Sequence, residues 1–327
     1  MRRGGIRRGH LSRRRLGGGW SAVAAIALVA LLAARGLAQT YSSGQPVWPA
    51  FEGWEKNEDG SFNFVFGYMN ENWQEELDVP VGPDNGIEPG GPDRGQPTHF
   101  QPRRNRFVFR VRVPSDWGNK EMVWTLTTRG TQKAYASLRT DLLIENIDLM
   151  SETGALGAGT SSPELRADKP PVIAIQGPKS LNTKVGQPVT LTAIVTDDGV
   201  PRRRQPPVGR AGAPNLNLLP PSRITVGKNV GLHLAWFLYR SPVSEGSESK
   251  GSAGKVVFDP VQVKTWEDTR TGANSPWAPI WSPPPVPPDG KYVVTATFSE
   301  PGTYVLRARA DDGALTSDEE VTVTVAR

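Results

Sequence analysis

The chain has 327 residues, a formal net charge of +5, 37% hydrophobic residues, 10 Trp, 10 Phe and no cysteine. Its length exceeds one ordinary domain, and the lack of thiols excludes disulfides and thiolate metal centres. The positive excess sits in residues 1–38, which hold eight arginines and no acid; taking eight charges from +5 leaves −3, so the basic balance gives no support to a nucleic-acid partner, which needs a basic face on the folded part.

In chain order, the first element is a leader. Arg2, Arg3, Arg7, Arg8, Arg13, Arg14 and Arg15 precede the apolar run Trp20 to Ala34 and a small-residue exit at Gly36-Leu37-Ala38, before Gln39. A basic start, an apolar run short for a bilayer span and a small-residue exit define a secretory signal at 1–38, with an uncleaved anchor as the alternative; this is the one route by which a membrane enters. Ser12-Arg13-Arg14-Arg15-Leu16 loosely matches a twin-arginine signal, a match any long Arg-rich start produces. A large exported chain without cysteine points to the bacterial periplasm or the extracellular space.

From Gln39 no segment sustains helical periodicity, and alternating runs recur between Gly, Pro and Asn, so the class is all-β: two β-sandwich domains. In the first, 39–150, Ser61 to Tyr68 places Phe62, Phe64 and Phe66 on one face, and Arg106 to Val113 places Phe107, Phe109, Val111 and Val113 on one face. Glu121 to Thr128 and Lys133 to Leu138 read as a hairpin around Arg129-Gly130. The stretch from Pro80 to Asn105 is longer than ordinary connections, which makes it a functional or a disordered loop. Trp48, Phe51, Trp54 and Trp73 crowd the same domain; core is the expectation for the alternating phenylalanines, and a sugar-stacking platform is the competing use of the tryptophans. The small, polar stretch 151–170 reads as a linker.

The second domain, 171–327, shows seven strands: VIAI, VTLTAIVT, GLHLAWFLYR, KVVF, YVVTATF, TYVLRARA and EVTVTV. Period-two spacing turns Val189, Leu191, Ala193 and Val195 inward on one, and Tyr304, Leu306, Ala308 and Ala310 inward on another, leaving Arg307 and Arg309 on the opposite face. Both strands run into Asp-Asp-Gly, where Asp bonds its own backbone and Gly accepts positive φ. The segments GQPVTLTAIVTDDG, AWFLYR and TATFSEPGTYVLRARADDG resemble the PKD-like group of immunoglobulin-like sandwiches. The resemblance covers 171–327 and implies a non-catalytic extracellular module for adhesion, spacing, or binding of proteins or glycans. Extra length at 201–230 and 259–291 departs from the family's shorter pattern.

Antiparallel alternation brings the two long insertions and the second Asp-Asp-Gly turn to one pole. Asp197, Asp198, Asp311 and Asp312 then gather there as plain turns or as oxygen ligands for Ca²⁺, with Arg202, Arg203 and Arg204 as competing ion-pair partners. Trp266, Trp277 and Trp281 lie in the Pro-rich second insertion, where they either cover the sandwich or recognise a ligand. Catalysis finds little support. His99 and His233 have no partner at metal-ligand spacing. Ser247 to Lys250 matches S-x-x-K without the strand-to-helix context that would position a serine. The acidic groups Glu52, Glu55, Glu58 and Glu71, Glu75, Glu76, Asp78 read as solvated faces and turns. The expectation is an exported, non-catalytic interaction module binding a protein or glycan through one pole, with no obligatory cofactor; a polysaccharide-acting enzyme or its carbohydrate-binding accessory is the alternative.

Overall fold

Alternating Phe, Val and Trp in 42–136 build three small antiparallel sheets around one aromatic core. The computed structural model describes residues 42–152, 162–202, 231–242, 255–263 and 284–327; the leader lies outside them. The strands are β1 (Val47–Lys56), β2 (Phe62–Asn70), β3 (Leu77–Asp78), β4 (Asn85–Glu88), β5 (His99–Phe100), β6 (Arg103–Val113), β7 (Met122–Thr127) and β8 (Thr131–Ala136). They pair as β1-β2-β6, β4-β7-β8 and β3-β5, and β7 and β8 form the expected hairpin. Phe66 stacks on Phe109 at 5.2 Å, and Trp124 meets both edge-on at 5.9 and 5.0 Å. Such pairs add about 0.5–1.5 kcal/mol each beyond the area they bury.

One register expectation fails. Phe109, Val111 and Val113 point into the main core, but Phe107 points to the opposite face against Val65 and Ile144. The β2–β6 register jumps from Phe66↔Phe109 to Tyr68↔Asn105, a bulge in which Phe107 takes φ 51°. A bulge adds residues on one strand and reverses the side-chain alternation beyond it. Here it also frees the Phe107 and Val108 carbonyls from the ladder.

After a 3₁₀ turn at Thr140–Leu142 come α1 (Asn146–Glu152) and the one-turn α2 (Pro163–Arg166), capped by Ser162 accepting the Leu165 amide at 3.2 Å. The remaining strands are β9 (Val172–Ile175), β10 (Ser180–Lys184), β11 (Val189–Thr196), β12 (His233–Arg240), β13 (Val256–Asp259), β14 (Lys291–Phe298), β15 (Gly302–Asp311) and β16 (Thr316–Ala326). One sheet runs β13-β14-β11-β9 and the other β10-β16-β15-β12. In immunoglobulin letters these are D-E-B-A and A′-G-F-C, the order of that sandwich. Trp236 is buried on β12, and the Tyr304 hydroxyl at the start of β15 donates to the Glu300 carbonyl at 2.9 Å, the tyrosine corner of the same fold. The chain is therefore all-β, with an immunoglobulin-like sandwich in its second half. All seven expected strands are present. β10 joins them as a polar edge strand paired in parallel to β16, through the backbone.

Sheet β10-β16-β15-β12 is covered on both faces. Leu234, Trp236 and Leu238 enter the core of their own sandwich, while Phe237 and Tyr239 enter the core of the first. Arg307 and Arg309, expected on an open face, are 6% and 3% exposed. Arg307 donates to the Val108 carbonyl at 2.5 Å and lies over the Tyr239 ring; Arg309 donates to the Phe107 carbonyl at 3.3 Å. Across β15 and β16 they also pair with Glu320 and Asp318.

The long loop is a docking arm. Asn85 and Gln96 are fully buried and bind backbone carbonyls within it, and the Arg240 guanidinium forks onto Asp93 at 2.8 and 3.1 Å. The amide of Ser241 donates to the Thr98 hydroxyl at 3.0 Å. Loop length here supplies a lock between two sandwiches, where the sequence suggested a functional or a disordered loop. Among the described residues no helix is long and apolar enough to cross a membrane.

Candidate functional site

The end of β11, the start of β12, the ends of β13 and β15 and the starts of β14 and β16 lie at one pole, as alternation requires. Gly290 helps to close it: its carbonyl accepts from the Val195 amide at 2.9 Å, its φ is 64°, and a Cβ there would run into the Val195 carbonyl oxygen. The two Asp-Asp-Gly turns stand at this pole. Asp197 Oδ2 accepts the Gly199 amide at 2.8 Å and Asp198 Oδ1 accepts the Val200 amide at 3.0 Å. Asp311 Oδ1 accepts from Gly313 at 2.7 Å, and Asp312 Oδ1 accepts from Ala314 and Leu315 at 2.6 and 2.8 Å. Each aspartate therefore works as a turn former with one oxygen.

Asp168, which the sequence did not single out, joins the two turns. It follows α2, whose Leu165 packs on Met150, Ala314 and Leu315, and this contact fixes the segment beside the second turn. Burial pushes the Asp168 carboxyl up to about 7, and the charges of Asp198 and Asp197 add to that. Burial likewise raises Asp312 to about 8; the Leu315 and Ala314 amides pull it down, and Asp168 and Asp311 push it up. Asp197 is raised by burial and by Asp198. Arg202 is exposed and makes no ion pair with them; Arg203 and Arg204 lie outside the described residues, as do Trp266, Trp277, Trp281 and Ser247 to Lys250. No signal in a lone aspartate of a polar stretch marks it for burial, so Asp168 is visible only in three dimensions.

Beside the pole a cavity of about 530 Å³ opens between the sandwiches. Phe107, Ile144, Leu149 and Leu315 line it with apolar surface, and Arg104, Arg106, Arg110 and Arg309 line it with charge. Arg104 pairs with Glu52 at 2.7 Å and Arg110 with Glu55 at 2.7 Å. Glu52 and Asp78 are thus not solvated: Glu52 is nearly buried in its pair, and Asp78 lies in the interface.

Asp78 Oδ1 meets His99 Nδ1 at 2.9 Å, and its Oδ2 takes Lys255 at 3.1 Å and the Ser241 hydroxyl at 3.2 Å. Burial would lower the His99 pKa, but hydrogen bonds to Asp78 and Glu76 outweigh it and push the ring up to about 9. Burial would raise Asp78, yet His99 and Lys255 hold it below the usual carboxylate range. The serine donates to the aspartate and the histidine is held charged, so the trio serves as an ion-pair lock. His233 packs edge-on to Tyr292 at 6.4 Å. Trp54 is buried and donates to the Arg139 carbonyl at 2.7 Å, and Arg103 lies over Trp73 at 4.3 Å; Trp48 remains 43% exposed.

No family model matches the chain, and no curated protein matches it either. Among solved structures it is similar to the PKD domain of an M14-like peptidase from a Thermoplasmatales archaeon, at 16% identity over 49% of this chain and 100% of that one, with a TM-score of 0.21. It is also similar to the D00–D0 domain of intimin, at 10% identity over 86% and 100% with a TM-score of 0.23. Domains 4 and 5 of the S-layer protein SbsC give 10% identity over 86% and 98%, with a TM-score of 0.21. At such values the likenesses carry no argument of their own, and the fold assignment rests on sheet order, the buried Trp236 and the tyrosine corner.

Proposed function

We propose that this chain is an exported, non-catalytic interaction module of the bacterial periplasm or cell surface, binding a protein or glycan through the loops at the Asp-rich pole. The observation that carries this reading is the rigid backing of that pole. Strand β12 begins there and β15 ends there, and β15 is held from behind by Arg307 and Arg309 on the first sandwich. Loops on a fixed scaffold lose little freedom on binding, which is how sandwich domains present recognition surfaces. The connection carrying Trp266, Trp277 and Trp281 leaves β13 and enters β14 at this pole. The folded part's net charge of −3 and its carboxylates favour neutral or basic partners over nucleic acid.

A glycan array probed with the chain and with a Trp266→Ala, Trp277→Ala, Trp281→Ala variant tests the reading. The expected outcome is binding to a defined glycan class that the variant loses by at least about tenfold. Binding that survives the triple replacement removes the loops from the mechanism, and hydrolysis of an array glycan moves the chain to the enzyme class.

A further inference from the structure

Each turn-forming aspartate spends one oxygen on its own turn and keeps another. Asp197 Oδ1 and Asp312 Oδ2 are buried and meet no hydrogen-bond donor among the described residues. Asp168 is 3% exposed, and neither of its carboxylate oxygens meets a hydrogen-bond donor among the described residues; the nearby Lys169 amide lends only partial stabilisation. Three segments of chain, one before β9, one after β11 and one after β15, thus bring four unpartnered acceptor oxygens to one pole. No lysine or arginine among the described residues forms an ion pair with Asp168, Asp197 or Asp312, and the charges they feel are those of one another and of Asp198 and Asp311.

Leaving buried acceptors without donors costs about 1–3 kcal/mol each, and more when they are charged. Fold requirements do not explain the arrangement. An Asp-Gly turn needs one oxygen, and Asp168 forms no turn at all. The oxygen-only donor set, without sulfur or imidazole, is what a hard cation takes in preference to Zn²⁺ or copper. Mg²⁺ demands near-ideal octahedral geometry, whereas Ca²⁺ accepts six to eight oxygens in irregular arrays completed by carbonyls and water. We propose that the pole binds one Ca²⁺-class divalent cation, with Asp168, Asp197 and Asp312 as its carboxylate ligands. Among the described residues no three acidic groups already meet around a single point. Like charges hold one another apart, and the cation draws them together. The ion ties the segment before β9 to both turns, fixing the base from which the long connections leave. It stands independently of what those connections bind.

The test is thermal melting of the whole chain in 5 mM CaCl2 against EDTA, at ionic strength matched with NaCl, together with calorimetric titration of Ca²⁺. A site in the 10⁻⁴–10⁻³ M range typical of extracellular modules raises the midpoint by about 2–4 °C and titrates as one event. Asp168→Asn removes one ligand and one repelling charge. It is expected to melt in EDTA at or above the wild-type midpoint and to lose the response to Ca²⁺. Asp312→Asn repeats the measurement should the first variant fail to fold. Absence of a Ca²⁺-dependent rise in the wild-type chain, or a full rise retained by Asp168→Asn, overturns the proposal and leaves Asp197 and Asp312 as plain turn formers.

Discussion

The interface between the sandwiches and the pole beside it both bury charge, and they treat it in opposite ways. At the interface every buried ion has a counter-ion or a carbonyl: Arg307 and Arg309 share Asp318, Glu320 and two bulge carbonyls, and Asp78 is divided among His99, Lys255 and Ser241. At the pole Asp168 and Asp312 are as deeply buried and pair with no lysine or arginine among the described residues. The comparison separates charges that hold the molecule together from carboxylates buried without a donor among the described residues. Satisfied networks fix geometry and are costly to break, whereas unsatisfied ones tolerate removal of a member. Replacing a residue in each region therefore ought to move stability in opposite directions.

The largest effect belongs to Arg307. Arg307→Met strips the Val108 carbonyl and Glu320 of their partner and is expected to cost about 3–5 kcal/mol by urea denaturation; a loss below about 1 kcal/mol means the interface does not depend on its arginines. His99 comes next. Its folded pKa of about 9 lies above the unfolded value near 6.5, so its contribution is complete below pH 6.5 and lost as pH rises through about 9. The expected loss is up to about 3 kcal/mol between pH 6 and pH 9.5, flattened in His99→Gln. A urea midpoint independent of pH over that range contradicts the lock. Asp93→Ala, which unforks Arg240 at a half-open site, should cost about 1 kcal/mol. Lys179→Ala breaks an exposed pair with Glu319, and a change within about 0.5 kcal/mol marks the floor against which the others are read.

Strand existence was legible because period-two burial leaves its trace in sequence, as in Val189 to Val195 and Tyr304 to Ala310. What covers the other face was not. Arginines at alternate positions look the same whether they meet water or the carbonyls of a neighbouring sandwich, so Arg307 and Arg309 read as solvent-facing. Phe107 was misplaced because a bulge is a backbone event that leaves the apolar pattern intact. β10, with the sequence SLNTK, carries no apolar alternation; its pairing is backbone to backbone. The gathering of the two Asp-Asp-Gly turns at one pole followed from strand direction alone, but Asp168 depended on where α2 docks.

The bulge at Phe107 and the two-faced strand β12 also set an order of events. Arg307 reaches a carbonyl 199 residues earlier in the chain, and Phe237 and Tyr239 complete a core begun by β1. A chain emerging from its amino end exposes that unfinished core until β12 has been made. Closing contacts of such separation is slow, and the waiting surface is the one at risk of association with other chains. The first core is thus complete only once β12 has joined it, a dependence set by strand order rather than by the strength of any contact.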